Sequence, residues 1–210
     1  MSKHNATPLI VGIGGTNRAN SSSEKALQAA LKIAQLMGAR TLQISGPDLL
    51  FEIYQPEDTS RSDKATTFID ALKNADGLLI STPSYHGSIP GLLKNALDYI
   101  EDLRDDERPY LDNRAVGCII CADGSQALGS TLNALRSVIH AVRAWPTPYA
   151  ATLPSAVCRQ ALNEPQNPSN PAFTPLQTVV EQVVTFADAM SQKAARPIAF
   201  DKPPQTALNV

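Results

Sequence analysis

Leu9-Ile10-Val11-Gly12-Ile13-Gly14-Gly15-Thr16-Asn17-Arg18-Ala19-Asn20-Ser21-Ser22-Ser23-Glu24 passes from a compact apolar run, through glycines and hydroxyls, into a helical pattern. Residues 9–13 read as a buried strand. Ser21, Ser22 and Ser23 offer N-caps to a segment in which Leu27, Ala30, Leu31, Ala34 and Met37 share one face, and Gly38 stands where a helix ends. A strand that feeds a helix through such a turn is the usual construction of a phosphate cradle. Backbone N–H groups and the positive end of the helix face the anion, and hydroxyls add adaptable donors. Arg18 supplies a full positive charge.

The same alternation continues along the chain. Residues 41–44 form a short strand. Residues 61–75 carry Ala65, Phe68, Ile69 and Leu72 at helical spacing, and 77–82 form a buried strand closed by Pro83. Pro90 suits the first position of a third helix, with Leu93, Ala96, Leu97 and Ile100 inward. Ala115–Cys121 is the most continuous apolar strand, and Leu128, Leu132, Leu135, Ile139 and Val142 mark a fourth helix. Residues 147–153 read as a fifth strand. A last helix starts at Thr174-Pro175, with Val179, Val180, Val183, Phe186 and Met190 inward. Five strands alternating with five helices predict an α/β fold, a doubly wound parallel sheet covered on both faces. Ligands then bind at the carboxyl ends of the strands, which directs attention to the loops after strands one, three and four.

Composition narrows the classes. The chain has 210 residues, 43% hydrophobic, with a formal net charge of −2 and three Cys. That length suits one domain, expected over residues 1–195, with an irregular tail over 196–210. A charge near zero gives no reason to expect nucleic acid or a membrane surface as partner. Runs such as 77–80 and 116–120 fall far short of the roughly 20 apolar residues that a membrane helix requires. The polar start lacks a signal-peptide core, so a cytoplasmic location is expected. Residues 154–175 contain Pro154, Pro165, Pro168, Pro171 and Pro175 and read as a long irregular loop.

The first loop excludes two familiar phosphate motifs. No Gly-Lys-Ser/Thr follows the glycines, so it is not a Walker loop. Gly12-x-Gly14 is followed by Asn17 where a dinucleotide fold requires a third Gly, and no acidic residue closes residues 41–44. A hydroxyl-lined loop suited to a terminal phosphomonoester remains, as on flavin mononucleotide. Taken alone, Ser21–Ser23 read equally as helix caps. The loop after strand three, Thr82-Pro83-Ser84-Tyr85-His86-Gly87-Ser88-Ile89-Pro90, places two rings beside a glycine where a planar group could lie. After strand four, Cys121-Ala122-Asp123-Gly124-Ser125 could present N–H groups to a heteroaromatic edge, or simply cap a helix.

Together these segments resemble the NAD(P)H-dependent FMN reductase family of flavodoxin-like proteins. The resemblance is carried by Gly15-Thr16-Asn17-Arg18 with Ser21–Glu24 and by the run from Pro83 to Asp98, less strongly by 117–124, and it spans roughly residues 8–153. It implies strand order 2-1-3-4-5. It implies that Thr16, Arg18, Ser21, Ser22 and Ser23 bind the FMN phosphate. Pro83, Ser84, Tyr85, His86, Gly87 and Ser88 would line the ribityl chain and ring, and Ala122, Asp123 and Gly124 would approach the ring's polar edge. Many members carry an acidic residue and Asn where this chain has Ser84 and His86. The implied activity is hydride transfer from NADPH or NADH to FMN, and onward to a free flavin, a quinone or another small acceptor, in a homodimer or homotetramer. The flavin carries the chemistry, so no catalytic acid, base or nucleophile is assigned. A flavodoxin-type electron carrier without a nicotinamide site is the alternative, although such carriers tend to be strongly acidic. A flavin-free phosphate-binding module on the same fold is a third reading.

The other reactive residues read as structural. Cys118 and Cys121 have redox-motif spacing, but in a strand they point to opposite faces about 10 Å apart, at ~3.3 Å per residue. Nothing in the spacing pairs Cys158. His4, His86 and His140 show no metal-ligand spacing, so no metal is expected. The charged run 101–108 reads as a solvated helix end, and Trp145 as a core residue.

Overall fold

The computed structural model describes residues 7–161 and 167–194. A parallel sheet lies at the centre, in the order β2-β1-β3-β4-β5, with β6 also paired to β4. Its strands are β1 (Leu9–Gly14), β2 (Arg40–Ile44), β3 (Gly77–Pro83), β4 (Ala115–Cys121), β5 (Trp145–Pro146) and β6 (Ala151–Leu153). The helices are α1 (Ser22–Leu36), α2 (Asp63–Asn74), α3 (Gly91–Asp98), α4 (Ser125–Ala141), α5 (Ser155–Gln160) and α6 (Phe173–Ala194). The order is the one that the resemblance implies.

Strand residues alternate between two apolar layers. Val11, Ile13, Leu78, Ile80, Val116, Cys118 and Ile120 pack with α2, α3 and α4, around Phe68, Leu93 and Leu135. Ile10, Leu79, Ile119 and Cys121 pack with α1, α5 and α6, around Leu27, Leu31, Val179 and Val183. This period-two division explains why the central strands read as continuous apolar runs: both faces are covered. Cys118 and Cys121 fall in opposite layers, as the strand geometry requires.

Arg114 is fully buried at the amino-terminal end of β4. Its guanidinium donates to the carbonyls of Ala75 (3.0 Å) and Lys73 (2.9 Å), and more weakly to those of Tyr110 (3.3 Å) and Asp112 (3.4 Å). It thus satisfies carbonyls that the end of α2 leaves open. Burial brings its pKa down to about 10, which keeps it charged at neutral pH.

Four expectations are corrected. The fifth strand is two pieces: Trp145–Pro146 pairs with Ala115–Val116, and Ala151–Leu153 pairs with Ile119–Cys121. Pro146 and Pro148 have no N–H to give to a ladder, and Thr147 turns its hydroxyl onto the Tyr149 carbonyl (2.8 Å). The proline-rich stretch is not wholly irregular, because Ser155–Gln160 is helical and buries Cys158 against α1. Trp145 is 58% exposed and stacks on Phe186 (5.7 Å between centroids), so it lies outside the core. Met37 is not on the buried stripe: it is the exposed C-cap of α1. Pro165 and the expected tail from Arg196 lie outside the described residues. Within the charged run, Asp102 pairs with Arg61 (2.6 Å) and Asp106 with Lys73 (3.0 Å).

Candidate functional site

The loop after β1 is held down before it turns. The Gly15 N–H donates to the Ser81 carbonyl (2.7 Å), and a Cβ on Gly15 would lie 2.4 Å from Thr82 Oγ1 and 3.0 Å from Thr82 Cα. Only glycine lets this backbone cross β3 so closely. Thr16 is buried, and its hydroxyl accepts the Arg18 N–H (3.2 Å), which folds the loop back on itself. Residues 17–20 are exposed, and Asn20 takes a φ of 55° at the turn into α1.

The three serines divide the work. Ser21 is the N-cap of α1, its Oγ accepting the Glu24 N–H (3.1 Å). Ser23 is fully buried with its hydroxyl 3.3 Å from that of Ser21, while its carbonyl accepts the Ser81 hydroxyl (2.7 Å). Ser22 is the partly exposed member. Helix geometry leaves the N–H groups of Ser22 and Ser23 without intrahelical acceptors at the positive end of α1. A capped helix start and N–H groups without intrahelical acceptors therefore coexist in one stretch. The Glu24 carboxylate accepts the Asn20 N–H (2.7 Å), bringing a negative charge to the same end as Arg18.

The loop after β3 is a two-residue hairpin. Tyr85 and Ser88 exchange backbone bonds (2.9 and 3.2 Å) around His86 and Gly87, at φ 53° and 81°. Two successive positive φ values mark a type I′ turn, in which glycine is at ease and histidine, with its Cβ, is less so. The turn presents Tyr85, 50% exposed, with its hydroxyl 3.5 Å from Thr16 Oγ1. Residues 69 positions apart in sequence thus meet across the first and second loops.

Ser84 ties this hairpin to its other neighbours. Its N–H donates to the Cys121 carbonyl (3.3 Å), and its hydroxyl accepts a hydrogen bond from Thr131 Oγ1 (2.7 Å). Thr131, fully buried on α4, was not anticipated from the sequence. The available signal was a polar residue inside the Leu128–Leu132–Leu135 stripe. The later part of the motif is scaffolding. Asn95 accepts the Tyr54 N–H (2.9 Å) and donates to the Glu52 carbonyl (2.9 Å), fixing the segment after β2 onto α3. Pro90 is the N-cap rather than the first residue of that helix.

The third loop starts where the Ala122 N–H donates to the Leu153 carbonyl (3.2 Å). Asp123, Gly124 and Ser125 are exposed, and Gly124 is the N-cap of the 17-residue α4 with no side-chain cap among the described residues. The three loops therefore stand side by side at the carboxyl ends of adjacent strands. Together they offer backbone N–H groups, hydroxyls, one guanidinium and an exposed tyrosine ring. That donor set suits a phosphorylated ligand with a planar ring. Among the described residues, no three His, Cys, Asp or Glu are grouped to hold a metal ion.

Residues 8–157 match the family model described as NADPH-dependent FMN reductase, a span that contains all three loops. The chain belongs to that family. It is 34% identical over 106 residues to the NAD(P)H-dependent FMN reductase of Pseudomonas aeruginosa, covering 48% of this chain and 53% of that one. It is 29% identical over 112 residues to the NADPH azoreductase of a Bacillus species, covering 53% of this chain and 56% of that one. The chain thus spans about half the length of these curated relatives. Among solved structures, the apo form of an NADH:FMN oxidoreductase superposes with a TM-score of 0.66 at 22% identity, covering 85% of this chain and 89% of that one. That likeness is one of fold. No helix among the described residues is long and apolar enough to cross a membrane.

Proposed function

We propose that the chain is an NAD(P)H-dependent FMN oxidoreductase that passes electrons to a small acceptor. The observation that carries this is the convergence of the three loops: Thr16 meets Tyr85, and Ser84 meets both Cys121 and Thr131. FMN held there would supply the two-electron chemistry, between a nicotinamide hydride donor and an acceptor such as a flavin, a quinone or an azo compound.

In this reading Arg18, the Ser22 and Ser23 N–H groups and the Thr16 and Ser22 hydroxyls hold the phosphate at the start of α1. Ser21 and Ser23 act from beneath, one as the cap and one as a buried brace. Pro83, Ser84, His86, Gly87 and Ser88 keep the hairpin in shape so that Tyr85 can border the ring. Ala122, Asp123 and Gly124 bring the uncapped start of α4 to the ring's polar edge, where its partial positive charge favours added electron density. Hydride transfer requires stacked, near-contact geometry rather than a proton-transfer group, so no side chain acts as acid or base.

A homo-oligomer fits the same reading, because Ile53 (74% exposed) and Leu50 (48%) leave apolar surface on the segment after β2. Light scattering at micromolar concentration should give a mass above the monomer, and a monomer would remove this part of the proposal. A cytoplasmic location accompanies it, since a reduced nicotinamide donor is required.

Anaerobic spectroscopy tests the activity. Protein loaded with FMN and desalted should lose its visible absorbance within seconds of adding NADPH or NADH. Retained colour that neither nicotinamide bleaches would make the chain an electron carrier instead.

A further inference from the structure

Cys158 and Cys121, distant in sequence, come together in the layer beneath α5. The Sγ atoms of Cys158 and Cys121 lie 2.6 Å apart, and Cys158 Sγ has a longer contact to the Leu153 carbonyl (3.8 Å). Cys158 is 0% exposed and Cys121 2%. Cys118 is buried in the layer on the other face of the sheet. The backbone around Cys121 is shared with the candidate site: its carbonyl accepts the Ser84 N–H, and the next N–H, of Ala122, goes to Leu153.

We propose that Cys121 and Cys158 are a redox pair, whose disulfide staples α5 to the end of β4 and stiffens the loops after β3 and β4. Sulfurs this close need little backbone movement to bond. The oxidant is a small hydroperoxide. One thiolate takes an oxygen from hydrogen peroxide, releasing hydroxide and becoming a sulfenic acid. The second thiol then displaces that hydroxyl as water and forms the S–S bond. Two thiols and one hydrogen peroxide give one disulfide and two waters, and a dithiol reductant reverses the change.

Burial sets the rate. The neighbouring thiol and the dry surroundings push the Cys121 thiol well above the usual range, so in the closed state Cys121 stays protonated and reacts slowly. Peroxide gains access when α5, only six residues long, lifts from α1 and the end of β4. The two sulfurs are then each other's nearest partner on reclosing.

The pairing itself does not depend on FMN, and only the ligand role of the stiffened loops rests on the proposed function. The test uses the whole protein without added flavin. It is treated with hydrogen peroxide, with and without sub-denaturing urea, then unfolded, alkylated with iodoacetamide and analysed by mass spectrometry. The expected product has lost two hydrogens, carries a single alkylated thiol at Cys118, yields a linked 121–158 peptide and returns to three thiols with dithiothreitol. Urea should speed its formation. Three alkylated thiols under both conditions, or a link that includes Cys118, would overturn the proposal. Amide exchange of peptides over 82–88 and 121–125 should slow severalfold in the oxidised form, and unchanged exchange would overturn the coupling. Cys158→Ser should show neither the linked peptide nor the slowed exchange.

Discussion

His86 shows how much a single backbone position decides. It occupies a left-handed position that asparagine fills more readily, and the surrounding hairpin holds it there through two backbone bonds. His86→Asn is therefore expected to raise stability by roughly 0.5–1 kcal/mol in urea unfolding, and His86→Val to lower it by about 1–2 kcal/mol. Equal midpoints for the three proteins would mean that the turn carries no strain. Thr131 works at the same scale. Thr131→Val keeps the volume and removes the donor to Ser84, which should weaken FMN binding by about 0.5–1.5 kcal/mol while the fold survives. Unchanged affinity would detach Ser84 from the site. Thr131 was hard to read in advance because a buried hydroxyl on a helix has no spacing signature, and its partner lies 47 residues away.

The elements were legible where periodicity and punctuation agreed. The central strands stood out because burial on both faces leaves no polar alternation, and α1 because Ser21 caps what Gly38 follows. The fifth strand divides where its apolar content predicts continuity, because that content says nothing of ladder donors, which Pro146 and Pro148 lack. The start of α1 supports a paired prediction. Arg18→Ala should weaken FMN binding by about 1.5–3 kcal/mol through loss of a charged donor. Glu24→Gln keeps an acceptor for Asn20 yet removes the opposing charge, and should tighten binding by about 0.3–1 kcal/mol at low ionic strength. Flavin-fluorescence titrations of both variants check this, and shifts of the same sign would show that charge at this helix end does not govern binding.

Over the whole molecule, the sheet serves as a frame that brings distant loops to one edge, and its opposite edge has a different role. There Arg114 closes the open carbonyls of Lys73 and Ala75 without any part in the site. Arg114→Met should lower stability by about 1–3 kcal/mol by removing a buried donor to four carbonyls, of which Lys73 and Ala75 keep Arg108 as a partner, with FMN affinity of the folded fraction unchanged. A loss of affinity without a loss of stability would contradict that separation. The candidate residues were readable in the sequence because each loop carries polar and glycine-rich chemistry directly after an apolar strand. Their contacts were not, since Thr16–Tyr85 and Ser84–Cys121 arise only once parallel pairing places β1, β3 and β4 side by side.

The most direct test of the central claim is a comparison of FMN with riboflavin, which differ only in the phosphate, by isothermal titration of the purified protein. Holding the phosphate at the start of α1 predicts FMN binding at least roughly tenfold tighter than riboflavin, about 1.4 kcal/mol or more, with the difference collapsing in Arg18→Ala. Equal affinity for the two flavins, or a preference that survives Arg18→Ala intact, would contradict it.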